Sequence, residues 1–379
     1  MAHKVLVVIG TRPEAIKMAP VVYALRALPE VETRVCLTGQ HTTLVDQVLE
    51  AFDLVPDDDL GIMKEGQTLY DVVHGALDGL RDVVRSFRPD LLLVQGDTAT
   101  VFVGSLVAFF ERVKVGHVEA GLRSHDKWAP FPEEIFRRLA DVLTDHYFAP
   151  TPLAREALLA EGVPPQRIHV TGNTVVDALM SVTGQDRPVT DPTLGRVLAG
   201  GRRLVLLTAH RRESFGAPLR EVFAAIRELA DAVPDAEIVY PVHPNPNVRV
   251  PAAELLSGHP RIHLIEPLGY LDLVTALKHA ALVLTDSGGI QEEAPTFGVP
   301  VLVLREVTER PEGITAGVAE LVGTDRARIV RQGVAALTRA APLAPPPNPY
   351  GDGRAGARIA DIVRADLAGT PRRTEDWQA

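Results

Sequence analysis

Two stretches of the sequence, VVIGTRPEAIKMAPVVYAL (Val7–Leu25) and VLLTAHRRESFGAPLREVFAAI (Val205–Ile226), share one order of features. Each begins with a β-rich apolar run, continues through a basic turn, and ends in apolar residues at helical spacing. A strand that leads through such a turn into a helix is typical of α/β folds, where the turn contacts the ligand. The repetition at the start of each half predicts two similar domains.

Other apolar runs extend this pattern along the chain. Leu91–Val94 and Ala281–Leu284 are continuously apolar rather than alternating, and helix-like segments separate such runs. Continuous apolar strands between helices predict parallel sheets that are covered on both faces. We therefore expect an α/β fold with two doubly wound sheets facing an interdomain cleft, with ligands at the carboxyl ends of the strands.

Domain boundaries follow from the composition. Gly184–Gly201 is rich in Gly, Pro, Thr and Asp, shows no periodicity, and is predicted to be a linker. We expect an N-terminal Rossmann-like domain at 1–183, a C-terminal Rossmann-like domain at 184–355, and a C-terminal helix and tail at 356–379 that packs back on the N-terminal domain.

Composition narrows the function classes. A net charge of −10 over 379 residues argues against a nucleic-acid partner, because phosphate backbones attract basic surfaces. Cys36 is the single cysteine, which argues against disulfides and cysteine-based metal sites and favours a reducing compartment. Neither a signal-peptide core nor an apolar stretch of about 20 residues is present. The sequence thus predicts a cytoplasmic protein that does not enter a membrane.

The segment TDSGGIQEEAPTFGVP, Thr285–Pro300, carries the clearest signal for an anion site. Ser287 can cap a helix, and Gly288 and Gly289 allow a phosphate to approach the backbone at the helix start. Glu293 is placed to accept hydrogen bonds from ribose hydroxyls. The alternative is an ordinary capped helix after a core strand. Neither a G-x-G-x-x-G fingerprint nor a P-loop motif occurs, which argues against an NAD-dependent enzyme and against a P-loop nucleotide-binding protein.

The N-terminal half offers both cations and acids. Arg12 and Lys17 in GTRPEAIKMAP could bind phosphate or carboxylate, or could belong to a solvated basic loop. Three acids stand after predicted strands, namely Asp97 in QGDTAT, Glu119 in HVEAGLRS and Glu133 in PFPEE. Crowded carboxylates suit proton transfer, although each acid alone could serve as a structural cap.

Two further features concern charge near these acids. Arg137 lies one helical turn after Glu133, so the two could form a simple ion pair. His210 in TAHRRE follows the first predicted strand of the second half, where it could neutralise a phosphate and transfer a proton, and His243 in YPVHPN is similar but less specific. No His-Glu-x-x-His motif occurs, so no metal is predicted.

Taken together and in order, these segments resemble one family. The set closely resembles the non-hydrolysing UDP-N-acetylglucosamine 2-epimerases, and it extends from Gly10 to Gly353. Single pieces are weak signals, but a dozen in order are highly specific. They are GTRPEAIKMAP, TGQH, QGDTAT, HVEAGLRS, PFPEE, TGNTVVDAL, TAHRRE, YPVHPN, TDSGGIQEEAP, TERPE, VGTD and NPYGDG.

The resemblance implies a GT-B-like fold and the interconversion of UDP-N-acetylglucosamine and UDP-N-acetylmannosamine for surface polysaccharides. It implies a homodimer that needs neither NAD nor metal, with UDP held mainly by the C-terminal domain. The implied catalytic residues are Asp97, Glu119, Glu133 and His210. The implied substrate-binding residues are Arg12, Lys17, Arg137, Ser287, Gly288, Gly289, Glu293 and Arg310. An allosteric site for a second UDP-N-acetylglucosamine is implied at Gln40, His41, Gln67, Arg211 and His243.

The sequence also departs from the family pattern at several positions. Thr43 and Gly66 stand in the allosteric segments where other residues are common, which leaves activation by substrate open. Phe136 replaces a usual Asn beside Glu133, and Asp272 lies where a Pro-aromatic pair is frequent near the uracil.

The chemistry itself favours elimination. The C2 proton of the sugar is not adjacent to a carbonyl group, so it can be lost either after oxidation by NAD or as UDP leaves C1 to give a glycal. Because the NAD fingerprint is missing, elimination is expected, with two proton-transfer groups for the two faces of C2. The alternatives are a glycosyltransferase on the same fold, a hydrolysing epimerase and a non-catalytic UDP-sugar sensor.

Overall fold

The chain forms two α/β units in a computed structural model that describes residues 2–39, 43–64, 66–184, 187–339 and 347–378. Unit 1 comprises Met1–Val182 and Tyr350–Ala379, and unit 2 comprises Thr183–Pro349. Unit 1 is therefore built from both ends of the chain.

Unit 1 has a seven-stranded parallel sheet in the order β3-β2-β1-β4-β5-β6-β7 among its described residues. Its strands are β1 (His3–Ile9), β2 (Val31–Leu37), β3 (Asp58–Asp59), β4 (Leu91–Gln95), β5 (Lys114–Val118), β6 (His146–Ala149) and β7 (Ile168–Val170). Its helices are α1 (Arg12–Arg26), α2 (Thr43–Ala51), α3 (Leu69–Phe87), α4 (Ala99–Phe110), α5 (Glu133–Leu143), α6 (Pro152–Ala160), α7 (Thr174–Thr183) and α15 (Ala355–Ala368).

Unit 2 has a six-stranded parallel sheet in the order β10-β9-β8-β11-β12-β13 among its described residues. Its strands are β8 (Arg203–Thr208), β9 (Ala236–Pro241), β10 (Ile262–Ile265), β11 (Ala280–Thr285), β12 (Val301–Val303) and β13 (Ala319–Leu321). Its helices are α8 (Pro192–Ala199), α9 (Ala217–Ala232), α10 (Pro246–Leu256), α11 (Tyr270–His279), α12 (Gly288–Glu293), α13 (Pro311–Thr315) and α14 (Arg326–Thr338).

The central strands explain the apolar runs of the sequence. All five residues of β4 are buried, and β1 is buried from Val5 to Ile9, because helices cover both faces of each sheet. The outer helices are amphipathic. In α3 a capping box between Thr68 and Asp71 starts the helix, and one face, which includes Leu80, is buried. The predicted fold class of two Rossmann-like parallel-sheet α/β domains is confirmed.

The C-terminal helix α15 packs against α1 inside unit 1. Gly356 allows this approach, since a β-carbon there would lie 2.8 Å from the carbonyl oxygen of Pro20. The Asp177 carboxylate accepts hydrogen bonds from the backbone N–H groups of Ala355 (3.2 Å) and Gly356 (2.8 Å) at the start of α15. Beyond the helix, the Trp377 N–H donates to the carbonyl oxygen of Val170 at 2.8 Å.

One expectation about the connection between the halves is wrong. The segment Gly184–Gly201, expected to be a linker without regular structure, contains the helix α8. The Asp191 side chain caps that helix by accepting the Leu194 N–H at 2.7 Å, and Leu194 and Val197 are buried in the core of unit 2. Eight residues with two buried positions are too short to show a clear helical period in sequence. Among the described residues, no helix combines the length and hydropathy needed to cross a bilayer.

Candidate functional site

The strand order of unit 1 reverses between the neighbouring strands β1 and β4, which creates a crevice at their carboxyl ends. The turn after β1 leads into Arg12, the first residue of α1, whose side chain is half-buried. The turn after β4 carries Asp97. Gly10 lets these turns come together, because a β-carbon there would collide with the side chain of Thr100. Arg12 and Asp97 therefore follow the two strands at the switch point.

Glu119 directly follows β5, the next strand of the sheet, and its carboxylate is firmly held. The Lys17 ammonium lies 2.5 Å from Oε1, the Asn173 amide donates to Oε1 at 3.0 Å, and the Gln95 amide donates to Oε2. The Glu119 backbone has φ 69°, a left-handed conformation that costs an L-residue roughly 1 kcal/mol or more. Strain of this kind is concentrated at functional sites, where surrounding contacts enforce it.

Asp97 is bound by Arg137, which projects from α5. The same guanidinium donates to Glu134 at 3.2 Å. The simple pairing of Arg137 with Glu133 is thus wrong, because the guanidinium is directed to Asp97 and Glu134 instead. Arg137 links the turn after β4 to α5.

Glu133 is the first residue of α5 and is half-buried. Its carboxylate makes no hydrogen bond with the residues that the structure describes, unlike that of Glu119. Phe136, one turn further along, stacks on Phe102 of α4 with ring centroids 5.5 Å apart. At the position where the family resemblance predicts an Asn, the structure therefore has an apolar contact with α4.

Glu14 is a buried acid of the same crevice that sequence analysis missed. The Gly10 N–H donates to its Oε2 at 2.6 Å, and the hydroxyls of Thr11 and Thr98 donate to its Oε1 at 3.0 and 2.8 Å. Burial raises the pKa of Glu14 to about 7, and the negative charge of Asp97 adds a smaller increase. The hydrogen bonds to Glu14 act in the opposite direction and lower its pKa. Glu14 ties the turn after β1 to the turn after β4. The GTRPE motif suggested only its basic members.

The corresponding switch point of unit 2 lies between β8 and β11. Asp286 directly follows β11 and exposes only 1% of its surface. Its Oδ2 accepts the backbone N–H groups of His210 and Arg211 at 2.6 and 2.8 Å, and its Oδ1 lies 3.3 Å from Nδ1 of His210. The Asp286 carboxylate therefore fixes the backbone of the turn after β8, and its Oδ1 lies beside the His210 ring without a hydrogen bond to it.

His243, which follows β9, stacks on His210 with ring centroids 5.5 Å apart and planes 9° from parallel. Burial lowers the pKa of His210 below its ordinary value. Positive charge on His243 and Arg211 adds to this effect, and Asp286 opposes it. His210 is thus a largely neutral imidazole near pH 7. An anion bound beside the ring would raise its pKa and favour uptake of a proton from solvent.

Two guanidinium groups converge on the start of α12. A β-carbon at Gly288 would lie 3.9 Å from Nη2 of both Arg211 and Arg310. Ser287 occupies the N-cap position, and the buried carboxylate of Glu292 pairs with Nε of Arg310. This cluster gathers positive charge around a glycine at a helix start, which is an environment suited to phosphate.

The remaining residues of this segment lie close by. Oε1 of Glu293, the last residue of α12, lies 3.8 Å from the position of a β-carbon at Gly289.

Asp272, which departs from the family pattern, is buried in α11 and accepts hydrogen bonds from the N–H groups of Thr190 (3.1 Å) and Asp191 (2.8 Å). Asp272 thereby holds the segment before α8.

The predicted allosteric residues are only partly described. Gln40 and His41 lie outside the described residues. The Gln67 side chain accepts the Lys64 N–H at 2.9 Å in unit 1, whereas Arg211 and His243 belong to unit 2. The allosteric site stays a prediction.

No group of three or more His, Cys, Asp or Glu side chains in the described part of the chain is arranged to hold a metal ion. The thiol of Cys36 is buried in β2, where burial raises its pKa to about 12. Nearby Asp58 and Asp59 add to that effect. Cys36 is therefore a core residue.

Polar clusters at the carboxyl ends of the strands in two doubly wound units define a nucleotide-binding α/β enzyme. Residues 23–364 match the family model described as UDP-N-acetylglucosamine 2-epimerase. The chain is 50% identical over 375 residues to a probable UDP-N-acetylglucosamine 2-epimerase of Ralstonia solanacearum, covering 96% of this chain and 100% of that protein. The chain belongs to the UDP-N-acetylglucosamine 2-epimerase family.

Solved structures agree with this assignment. A putative UDP-N-acetylglucosamine 2-epimerase from Listeria monocytogenes is 47% identical, with a TM-score of 0.91 and complete coverage of both chains. The UDP-GlcNAc 2-epimerase from Neisseria meningitidis, solved with UDP-GlcNAc bound, is 42% identical with a TM-score of 0.85, over 97% of this chain and 100% of that one.

Proposed function

We propose that this protein interconverts UDP-N-acetylglucosamine and UDP-N-acetylmannosamine by eliminating UDP to a glycal and adding it back. The observation that carries the proposal is Glu119, an acid in a strained conformation that Lys17, Gln95 and Asn173 hold at the end of β5. The assignment of substrate rests on the family, including the relative solved with UDP-GlcNAc.

The proposed reaction needs acids in unit 1. The C2–H bond and the bond from C1 to the phosphate oxygen break, and a C1–C2 double bond forms. The proton passes to a carboxylate, and UDP leaves with the electron pair. In the return step a second acid protonates the other face of C2 while the phosphate oxygen re-forms its bond to C1.

The three acids differ in their surroundings, which supports different roles. Hydrogen bonds from three donors stabilise the carboxylate form of Glu119, so we assign it the stabilisation of positive charge that develops near C1. Glu133 makes no hydrogen bond with the described residues, so its carboxylate is available to exchange a proton. Asp97, bound by Arg137 and with its side chain 32% exposed, is the second proton-transfer candidate.

Unit 2 would stabilise the departing diphosphate. The leaving phosphate gains negative charge, and the groups around Gly288, namely Arg211, Arg310 and the N–H groups at the start of α12, offset that charge. His210 would donate a hydrogen bond to the same phosphate. Removing one such donor from a reaction site costs about 10²–10³ in rate.

Turnover of UDP-N-acetylglucosamine in D₂O tests the proposal. Deuterium at C2, together with appearance of UDP-N-acetylmannosamine, is the expected NMR result. Substrate labelled with ¹⁸O in the bond from C1 to the phosphate should also scramble the label within the β-phosphate, because elimination frees that oxygen. Epimerisation that retains the original hydrogen at C2 would rule out this mechanism. Transfer to an acceptor without exchange would indicate a glycosyltransferase.

Matched variants test the assignment of the acids. Glu133→Gln should abolish exchange at C2 while UDP still binds, because the side chain keeps its size but cannot accept the proton. Glu156→Gln, the same change at an exposed position of α6, is the control and should behave as wild type. A wild-type exchange rate in Glu133→Gln would remove Glu133 from proton transfer.

Three wider features belong to the same proposal. The product would serve as a precursor for surface polysaccharides, the protein would act in the cytoplasm, and it would form a homodimer. Sedimentation velocity measures the last of these, and a monomer at micromolar concentration would contradict it.

A further inference from the structure

His117, in β5 two residues before Glu119, is fully buried and contacts two different acceptors. Its Nε2 lies 2.7 Å from the carbonyl oxygen of Gly96, and its Nδ1 lies 2.7 Å from Oδ1 of Asp141. Gly96 immediately precedes Asp97, and Asp141 lies in α5. One imidazole therefore bridges the turn after β4 and α5.

The partners decide where the ring hydrogens lie. A carbonyl oxygen can only accept, so Nε2 must carry a hydrogen. The Arg123 guanidinium, which can only donate, lies 2.6 Å from Oδ2 of Asp141 and stabilises the carboxylate form of this buried side chain. The Asp141 carboxylate is thus also an acceptor, and Nδ1 must carry a hydrogen as well.

The ion pairs run from the buried His117 to the protein surface. Nη2 of Arg123 lies 2.6 Å from Oδ2 of Asp141 and 2.8 Å from Oε2 of Glu161. The Tyr147 hydroxyl donates to the Asp141 backbone carbonyl at 2.7 Å, which fixes this part of α5. A protonated His117 and Arg123 both contact the buried Asp141 carboxylate, while Glu161, at the exposed end of this series, also lies 3.9 Å from Nε of Arg138.

We propose that His117 and Asp141 form a buried charged pair that positions the turn carrying Asp97 against α5, the helix that carries Glu133. Asp141 lies one helical turn after Arg137, whose guanidinium binds Asp97, so two contacts from α5 fix the same turn. Both members are positioning residues, since neither is placed to touch substrate. The effect on turnover rests on the proposed function, but the protonation of His117 does not.

The first test uses the resting wild-type protein labelled with ¹⁵N-histidine. The His117 signals are assigned by their loss in His117→Gln. Both ring nitrogens should show a directly bonded hydrogen at pH 7. A single protonated ring nitrogen would overturn the proposal, whether or not the protein turns out to be an epimerase.

The second test separates kcat from KM. In Asp141→Asn the side chain keeps its shape but loses its charge, and kcat should fall about 10–100-fold, as for other partners that orient functional groups, while KM changes less than about threefold. His117→Gln, whose amide can still donate to Gly96 but carries no charge toward Asp141, should show the same pattern and serves if Asp141→Asn does not fold.

Glu237→Gln is the matched control in unit 2. It faces His263, with Oε1 of Glu237 2.7 Å from Nε2 of that histidine, and should leave both constants unchanged. Wild-type kcat in a folded Asp141→Asn, or a rise in KM without loss of kcat, would overturn the proposal. Absence of turnover in the wild type would instead count against the proposed function.

Discussion

The ammonium nitrogen of Lys17 in α1 lies 2.5 Å from Oε1 of Glu119, which follows β5. The two side chains expose only 13% and 8% of their surfaces. Burying an ion pair gives little net stability, because desolvation of both charges offsets their attraction. A buried ion pair at the end of a strand, with Glu119 in a strained conformation, is what the role proposed for Glu119 in the reaction requires.

Replacing Lys17 by Met should lower both stability and turnover. The substitution leaves the Glu119 carboxylate buried without its cation, which should reduce the free energy of unfolding by about 3–5 kcal/mol. Turnover should fall about 100-fold or more, because the carboxylate loses the contact that orients it. Urea unfolding and the NMR exchange assay measure the two effects.

The double variant Lys17→Met/Glu119→Gln is the control for this pair. Removing both charges should restore most of the lost stability and none of the lost turnover. Recovery of turnover together with stability would show that the pair only stabilises the fold.

Glu14→Gln should change how stability depends on pH. The pKa of Glu14 rises from 4.5 to about 7 on folding, chiefly through burial. The folded state therefore binds more protons than the unfolded state between these values, and the contribution of Glu14 to stability is lost as the pH rises from 4.5 to 7. A shift of this size corresponds to about 3 kcal/mol.

Glutamine reproduces the protonated form of this side chain. Its oxygen can accept the Gly10 N–H, and its amide can donate to the hydroxyls of Thr11 and Thr98. We expect wild type and variant to unfold at the same urea concentration near pH 4.5, and the variant to be the more stable protein at pH 8. Parallel stability curves across this range would contradict the raised pKa.

Apolar runs made the fold class predictable, because buried parallel strands leave a continuous apolar signature. The helix α8 was missed because its caps and two buried positions, Leu194 and Val197, give too few residues for a period. Central strands can thus be predicted from their apolar runs, whereas a short helix with only two buried residues cannot be predicted from a periodic pattern.

Individual site residues were suggested by motifs, but their partners were not. The contact between Asn173 and Glu119 joins residues 54 positions apart, and nothing local in the sequence indicates it. The same holds for Arg137, which binds Asp97, 40 positions away, rather than Glu133. Glu14 is an acid in the first turn of α1, a position that acids commonly occupy, and only the fold shows its burial. Contacts between distant segments depend on topology, which a local pattern does not contain.

Gly288→Ala should weaken UDP binding without harming the fold. A β-carbon there would be in ordinary contact with Arg211 and Arg310 at 3.9 Å, so the free protein should be as stable as wild type. In the proposed complex the methyl group would occupy space next to the phosphate, which glycine leaves open. We expect the Kd for UDP to rise at least about tenfold, equivalent to about 1.4 kcal/mol, by calorimetric titration.

Gly195→Ala provides the matched control in unit 2. Gly195 lies within α8, and apart from the adjoining helix backbone no atom of the described residues lies within 4 Å of the position of its β-carbon. This variant should gain a little stability from the helix preference of alanine and bind UDP like wild type. Equal affinity in both alanine variants would place the phosphate away from Gly288.

His210 should take up a proton when UDP binds. In the free protein burial keeps the pKa of His210 below its ordinary value, with further lowering by His243 and Arg211 and opposition from Asp286. A phosphate beside the ring would raise that pKa, so the complex would hold more protons than the free protein, and affinity should strengthen as the pH falls from 8 to 6.

Titration calorimetry in two buffers of different ionisation enthalpy measures the uptake of protons on UDP binding. The nucleotide's own protonation is common to wild type and His210→Gln, so the difference between them isolates the histidine. Equal uptake in both proteins would show that His210 does not meet the phosphate.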